Sequence, residues 1–155
     1  MSPKVYIETS VVSYLTSLQS RDIVVAAHQQ ITHAWWATRE RYDLYVSEAV
    51  LAEAGGGDPS VAERRLSALA KVPVLMITGE VGNLAARFVD DGALPRKAFV
   101  DALHVAAAAV HGMDYLLTWN CAHIANVRIR ARLESLCRWH GVRPPMICTP
   151  EELQT

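Results

Sequence analysis

The chain has 155 residues, of which 51% are hydrophobic, and its formal net charge is −1. This length and apolar content are typical of one domain with its own core, so we expect a single domain over residues 1–155. The small net charge excludes a protein that binds polyanions through its overall charge. Three cysteines without a C-x-x-C pair exclude a disulfide framework and a zinc knuckle.

Cysteine use and charge placement also bear on location. Unpaired cysteines fit a reducing cytosol. Glu8 stands where a signal peptide would need its apolar run, and Asp101 and His104 interrupt the longest apolar stretch, 98–110. We therefore expect a cytoplasmic protein with no export signal and no membrane-spanning segment.

Short β-branched and aromatic runs alternate with helical patterns along the chain. The runs predict strands at 5–7, 44–46, 72–77, 115–118 and 146–148. Helical spacing of apolar residues predicts helices over 9–18, 22–41, 48–54, 59–70, 79–89, 97–111 and 126–140. Strands separated by helices favour a three-layer α/β/α fold, with helices on both faces of a parallel sheet of about four to five strands.

Capping residues set several of the expected helix ends. Thr9 and Ser10 offer a cap for the first helix, and Ser47 offers one for the third. Three glycines at 55–57 stop the third helix, and Asp58 followed by proline starts the fourth.

Polar residues occur at three of the predicted strand ends or just beyond them. Glu8 directly follows the first strand, Asn120 follows the fourth, and Glu53 lies on the helix after the second. Asp101 lies near the start of an otherwise apolar helix, where a carboxylate is rare unless it is paired or bound to a cation. Because ligands of parallel sheets bind beyond the carboxyl ends of the strands, we expect these four residues to form one site.

Each of these four polar residues also has an explanation that involves no functional site. The helix over 97–111 carries one polar stripe, formed by Lys97, Asp101, His104 and His111. This stripe could be a solvated face. Glu8 could favour the positive end of the first helix, Glu53 could be a surface residue, and Asn120 could be a turn or cap residue. Only their joint placement favours a site.

Clustered carboxylates suit a hard divalent cation. Mg²⁺ and Mn²⁺ prefer oxygen ligands, and a bound ion relieves the repulsion between neighbouring carboxylates. Such an ion can lower the pKa of a water molecule and neutralise charge that develops on a phosphodiester. We therefore expect a site that binds Mg²⁺ or Mn²⁺ and acts on a phosphodiester. No Walker-type glycine loop is present, which argues against nucleotide triphosphate use.

The order of these motifs resembles that of a PIN domain, and most closely the VapC-like toxins of bacterial toxin–antitoxin pairs. The motifs are Glu8-Thr-Ser after the first strand, Ser47-x5-Glu53, Asp101-Ala-Leu-His-Val-Ala-Ala-Ala and Leu-Leu-Thr-Trp-Asn120. The resemblance extends from Tyr6 to about Thr149, and the segments at Asp101 and Thr118–Asn126 carry most of its specificity.

The resemblance implies a Mg²⁺- or Mn²⁺-dependent endoribonuclease on a parallel sheet flanked by helices. It also implies a toxin neutralised by a cognate antitoxin, and a homodimer. Glu8, Glu53 and Asp101 match the metal-binding acids, and Asn120 matches the fourth catalytic position, which is often aspartate. Ser10 matches a small polar residue beside the first acid, as a helix cap or a support for it.

Two departures from the family pattern affect the expected chemistry. The first acid is usually aspartate, and Glu8 adds a methylene; Asn120 supplies a neutral oxygen where a charge is common. We expect weaker metal affinity, or one metal ion instead of two. The alternative is a PIN-like RNA- or protein-binding module with weak or no nuclease activity. A phosphatase-like hydrolase is disfavoured, because no Asp-x-Asp follows the first strand.

Other residues have two open interpretations. His104 and His123 are candidates for contacts with substrate or with the metal ligands. Trp119 could stack on an RNA base or anchor its loop in the core. The last helix and its exit are basic through Arg128, Arg130, Arg132, Arg138 and Arg143. These could contact phosphates or form a solvated face.

Overall fold

A five-stranded parallel sheet forms the centre of the protein in the computed structural model, which describes residues 1–154. The strands are β1 (Lys4–Ile7), β2 (Asp43–Ser47), β3 (Val74–Leu75), β4 (Tyr115–Leu117) and β5 (Met146–Cys148). Their spatial order is β3-β2-β1-β4-β5, and every neighbouring pair is parallel. This confirms the predicted α/β/α class with a parallel sheet.

Seven α-helices flank the sheet within the described chain. They are α1 (Thr9–Thr16), α2 (Ile23–Trp36), α3 (Glu48–Ala54), α4 (Pro59–Ala68), α5 (Gly79–Asp90), α6 (Phe99–Val110) and α7 (Val127–Trp139). The predicted caps of α3 and α4 are confirmed, since the side chains of Ser47 and Asp58 accept hydrogen bonds from the first turns.

Several predicted boundaries were wrong. The first helix is capped by Glu8 and not by Thr9 or Ser10, and it ends at Thr16. The second helix ends at Trp36 and is followed by a separate 3₁₀ turn over Arg39–Arg41, so it does not reach residue 41. The long sixth helix begins at Phe99, because Pro95 and a 3₁₀ turn over Arg96–Ala98 precede it.

The third strand is shorter than its apolar run. The run extends over 72–77, but only Val74 and Leu75 pair with β2. Pro73 has no N–H to donate, although its carbonyl accepts from Val46. The N–H of Ile77 bonds to the carboxylate of Glu48 and not to a strand carbonyl. Only Val74 and Leu75 therefore belong to the sheet, and the apolar residues before and after them lie outside it.

The central strand, β1, determines the position of Glu8. Strand β1 lies between β2 and β4, and Val5, Tyr6 and Ile7 are fully buried, as expected for a strand covered on both faces. The N–H of Glu8 then bonds to the carbonyl of Leu117 at the end of β4. Glu8 therefore stands at the carboxyl edge of the sheet, between two neighbouring strands.

No helix within residues 1–154 combines the length and the apolar character needed to cross a membrane.

Candidate active site

Glu8 is a buried carboxylate held by hydroxyl and backbone donors. It is only 4% exposed. Its Oε1 accepts from the hydroxyls of Ser10 and Thr118, each at 2.5 Å, and its Oε2 accepts from the backbone N–H of Ser10 at 3.1 Å. These three donors offset the cost of burying a carboxyl group. Glu8 therefore caps α1, as its structural explanation required, and also lies at the edge of the sheet.

Glu53 receives two donors on the same oxygen. The Thr9 hydroxyl and the His104 Nε2 both lie 2.6 Å from its Oε1. Partial burial on its own would raise the pKa of Glu53, but the hydrogen bonds from His104 and Thr9 outweigh it and hold the pKa below the usual value. No residue within 1–154 donates to Oε2, so this oxygen remains available to a ligand.

His104 connects Glu53 to the interior of the sheet. Its ring is fully buried, and its Nδ1 lies 2.7 Å from the Tyr6 hydroxyl. That hydroxyl lies 2.7 Å from the Oγ of Ser47 at the end of β2. Burial raises the pKa of Tyr6 far above its usual value, so the phenol keeps its proton. The polar stripe of α6 is thus not a uniformly solvated face.

Glu8, Glu53 and His104 form one cluster, which we call the Glu8 group. One ligand atom from each lies within 4.8 Å of the others. The two carboxylates suit Mg²⁺ or Mn²⁺, whereas an imidazole ligand would favour a softer metal. The donor set fits the metal that the sequence predicts, because two carboxylates lie together and Oε2 of Glu53 has no donor within residues 1–154.

Asp101 lies in a second cluster with Asn120 and His123, which we call the Asp101 group. Its Oδ1 accepts from the Asn120 amide at 3.1 Å, and its Oδ2 lies 3.1 Å from the His123 Nδ1. The Asn120 Oδ1 accepts from the backbone N–H of His123. Both carboxylate oxygens of Asp101 are therefore engaged, and Asp101 does not belong to the cluster that a single metal could bridge.

The two groups are joined through Thr118. Its Oγ1 donates to Glu8 and accepts from the backbone N–H of Asn120 at 2.9 Å. The structure thus brings Glu8 and Glu53 together and places Asp101 and Asn120 one link away. The predicted roles of these four residues in catalysis and metal binding remain predictions.

Trp119 and Ser10 have support roles in the structure. Trp119 is 7% exposed, its Nε1 donates to the Thr32 hydroxyl at 2.7 Å, and its ring stacks on His28 at 4.1 Å. It therefore anchors its loop to α2, and its ring face is covered in this conformation. The Ser10 hydroxyl donates to Glu8 and accepts from the backbone N–H of Trp119, which ties this loop to α1.

Most arginines of the basic C-terminal region have structural partners. The Arg130 side chain donates to the Ile147 carbonyl and pairs with Glu152. Arg132 reaches the Asp91 carbonyl, and Arg143 pairs with Asp114. The exposed side chains of Arg128 and Arg138 have no such partner within residues 1–154. The basic region is therefore not one continuous free surface.

Four supporting residues had no role in the sequence prediction of the site: Tyr6, Thr9, Ser47 and Thr118. Tyr6 reads as an ordinary strand residue and Ser47 as a helix cap, so neither pattern indicated a contact with the site. Three of the four lie inside the motifs that carried the resemblance, which was the only available signal.

The solved structures similar to this chain include the following two. The toxin VapC20 of Mycobacterium tuberculosis, described as cleaving the sarcin–ricin loop, has a TM-score of 0.60 at 17% identity, over 77% of this chain and 92% of its own. A chain of VapBC2 from Rickettsia felis, described as bound to a DNA fragment from its promoter, has a TM-score of 0.55 at 12% identity, over 94% of this chain and 98% of its own.

No protein-family model and no curated protein matches the sequence. At the identities of the two structural matches, the likeness shows the fold. The resemblance drawn from the order of the motifs is thus confirmed at that level, and the chain shares a PIN-like α/β/α fold with these two structures.

Proposed function

We propose that this chain is a metal-dependent endoribonuclease that acts as a toxin and is neutralised by a cognate antitoxin. The observation that carries the proposal is the Glu8 group, which gathers two carboxylates and a histidine at the carboxyl edge of a parallel sheet. The fold adds support, because one structural neighbour, VapC20, is described as a toxin that cleaves the sarcin–ricin loop, and the other is VapBC2 bound to promoter DNA. The motifs of this chain resemble the same VapC-like group of toxin–antitoxin pairs. RNA and an antitoxin are the partners that this proposal gives to the chain.

The proposed metal is Mg²⁺ or Mn²⁺, held by Glu8 and Glu53, with Asp101 joining as a further ligand after it leaves its contacts with Asn120 and His123. When bound, such an ion lowers the pKa of a water molecule and offsets charge on the phosphodiester. Ser10 and Thr118 orient the carboxylate of Glu8 by donating to it. These donors hold the carboxylate in place before any ligand arrives, which reduces the reorganisation that binding requires.

The Asp101 group supplies the remaining polar atoms of the proposed site. The side chains of Asp101 and His123 are 20% and 32% exposed, so both are accessible to a substrate. Asn120 holds one oxygen of Asp101 through its amide. We propose that Asn120 completes the catalytic set, and that His123 contacts the RNA.

Free cations near the site support an RNA substrate. Lys97 lies in the 3₁₀ turn that precedes Asp101, and Arg128 lies in the first turn of α7, just after the loop that carries His123. Neither side chain has an ion-pair partner within residues 1–154. Unpaired cations of this kind are available for phosphate contacts that do not depend on base identity.

A cleavage assay on structured RNA with Mn²⁺ or Mg²⁺ tests the proposal. We expect Asp101→Ala to lower the cleavage rate by roughly tenfold or more, because it removes a charge from the metal site. Asp43→Ala is the matched control, since Asp43 is exposed at the first residue of β2, at the edge of the sheet opposite to the site. Equal cleavage by the wild type and Asp101→Ala would contradict the site assignment.

A second candidate function is a PIN-like binding module with weak or no nuclease activity. It is favoured by the donors that already surround Glu8 and by the neutral amide of Asn120. Calorimetric titration with Mn²⁺ separates the two, because no binding at millimolar metal would favour the module. If the site is only weakened, the double variant Glu8→Asp and Asn120→Asp should bind Mn²⁺ more tightly.

We further propose that the protein is cytoplasmic, forms a single domain and assembles as a homodimer. Light scattering coupled to size-exclusion chromatography tests the last point. A mass of one chain across the accessible concentration range would contradict the dimer.

A further inference from the structure

A continuous row of polar side chains crosses the interior and ends on Glu53. We call it the buried chain; it consists of Ser47, Tyr6, His104 and Glu53. The successive contacts are 2.7 Å from Ser47 Oγ to the Tyr6 hydroxyl, 2.7 Å on to His104 Nδ1, and 2.6 Å from His104 Nε2 to Glu53 Oε1. Ser47, Tyr6 and His104 are fully buried, so water does not complete their hydrogen bonds.

The two ends of the buried chain fix the direction of its hydrogen bonds. At one end, the backbone N–H of Ala49 donates to Ser47 Oγ at 3.2 Å. At the other end, an ionised Glu53 can only accept, so the His104 Nε2 must carry the hydrogen. The neutral ring then leaves Nδ1 as an acceptor. The Tyr6 hydroxyl donates to it, and Ser47 donates to Tyr6.

This arrangement satisfies every polar group along the row. In the alternative, an imidazolium would donate from Nδ1 to Tyr6, and Tyr6 would donate to Ser47. The Ser47 hydroxyl would then have no acceptor within residues 1–154, in a fully buried position. A buried donor without an acceptor is costly, so the arrangement with one neutral tautomer is favoured.

The direction of the hydrogen bonds along the buried chain determines which atoms of His104 can bind a metal. A ring nitrogen that carries a hydrogen has no lone pair for a metal, although Nε2 is the atom that contacts the Glu53 carboxylate. We propose that His104 is a positioning residue for Glu53 and is not itself a metal ligand. Tyr6 and Ser47 set its tautomer, and the hydrogen bond to Oε1 leaves Oε2 of Glu53 for the metal.

The arrangement matters because Glu53 lies near the end of a short helix. Helix α3 has seven residues, and the Glu53 side chain is 39% exposed and has several rotatable bonds. The buried chain connects this partly exposed side chain to the sheet, because Tyr6 lies in β1 and Ser47 ends β2. Ordering the carboxylate beforehand reduces the entropy that metal binding would otherwise have to overcome.

This inference rests on the proposed function, and its first test does not need metal binding. Nitrogen-15 NMR of histidine-labelled, metal-free protein reports which ring nitrogen carries hydrogen, and His104→Gln identifies the signals among the six histidines. We expect His104 to be protonated at Nε2 only, and to stay so when Mg²⁺ is added. Protonation at Nδ1, protonation at both nitrogens, or loss of the Nε2 hydrogen on adding Mg²⁺ would overturn the assignment.

The second test measures Mn²⁺ affinity by calorimetry. Tyr6→Phe keeps the ring but removes the donor to His104, and we expect it to weaken binding by about tenfold, the range seen for residues that orient metal ligands. His104→Leu should weaken binding more than His104→Gln, whose amide can still donate to Glu53. Tyr14→Phe is the matched control, because the Tyr14 hydroxyl has no hydrogen-bond partner within residues 1–154, while its ring contacts His28 and Trp119.

Thermal unfolding shows which variants are folded, and Ser47→Ala replaces Tyr6→Phe if the latter does not fold. Wild-type affinity in every folded variant would overturn the positioning role. A wild type that does not bind Mn²⁺ would instead contradict the proposed function and the positioning role together, while the NMR result would still decide the tautomer.

Discussion

The two polar groups at the edge of the sheet are built in different ways. The Glu8 group is supported from outside its own members: Thr9, Ser10, Thr118 and Tyr6 all donate or connect to it, and the bonds onto its carboxylates from hydroxyls and the imidazole are 2.5–2.6 Å long. The Asp101 group supports itself, because its side-chain contacts run among Asp101, Asn120 and His123 at 3.1 Å.

This difference indicates which part of the site can change. The supports of the Glu8 group lie on β1, on the first turn of α1 and just after β4, next to the buried centre of the sheet. The Asp101 group connects α6 to a loop. A ligand that binds its side chains would break only the contacts among Asp101, Asn120 and His123. We infer that the Glu8 group is organised before metal binds, whereas the Asp101 group adjusts when metal or RNA arrives.

The largest expected difference concerns metal affinity. We expect Glu53→Gln to weaken Mn²⁺ binding by roughly 10- to 100-fold, because it removes a charge from a preorganised ligand. Asp101→Asn should weaken it by only about threefold, because Asp101 must first leave its partners. Calorimetry measures both, and Glu63→Gln on the exposed side of α4 is the control. A larger loss for Asp101→Asn would reverse the comparison.

The second expected difference between the two groups is their contribution to the free energy of unfolding. Glu8→Ala removes the cap of α1 and leaves the donors of Ser10 and Thr118 without their acceptor, so we expect a loss of about 2–3 kcal/mol in the free energy of unfolding. Asp101→Ala should lose less than about 1 kcal/mol, because its partners are accessible to water. Urea denaturation measures both. Equal losses would show that the Asp101 group is also part of the rigid core.

Local sequence patterns predicted much of the fold. Strand β5 has the predicted bounds, and β1, β2 and β4 each agree within one residue at either end. These strands are compact apolar runs, and the periodicity of their side chains is a local property. The third strand was overextended because its end depends on a distant contact, the bond from Ile77 to the Glu48 carboxylate.

The site was predicted less well than the fold, for a similar reason. Sequence position indicated which edge of the sheet would carry Glu8, Glu53 and Asp101, but it could not show which carboxylates face each other. Asp101 and His104 are three residues apart on one helical stripe, yet His104 is buried against Tyr6 and Asp101 faces Asn120. Positions about one turn apart on the same helix therefore belong to different groups, and the packing of the surrounding elements determines which group each side chain joins.

A smaller effect tests whether Trp119 is a structural anchor that serves neither group directly. Thr32→Val keeps the shape of the side chain but leaves the Trp119 Nε1 without its acceptor, so we expect a loss of about 1–2 kcal/mol in the free energy of unfolding. Thr16→Val is the matched control, because that hydroxyl bonds only to the helix carbonyl of Val12. RNA cleavage by folded Thr32→Val should equal that of the wild type; a selective loss of cleavage would favour a direct role for Trp119.

The smallest expected effect is the pH dependence contributed by Glu53. Its pKa in the folded protein lies below the usual 4.5, so its hydrogen bonds stabilise the fold above that pH and this contribution is lost as the pH falls through the folded pKa. Because the side chain is 39% exposed, solvent screening keeps the contribution small.

In urea denaturation at a series of pH values, wild type should be more stable than Glu53→Gln at neutral pH, and the two curves should converge in acid. Asp58 and Asp114, whose pKa values are also lowered, act equally in both proteins and cancel. Parallel curves down to the acid limit would show that the donors from Thr9 and His104 do not favour the ionised carboxylate, and would remove one reason for treating the Glu8 group as preorganised.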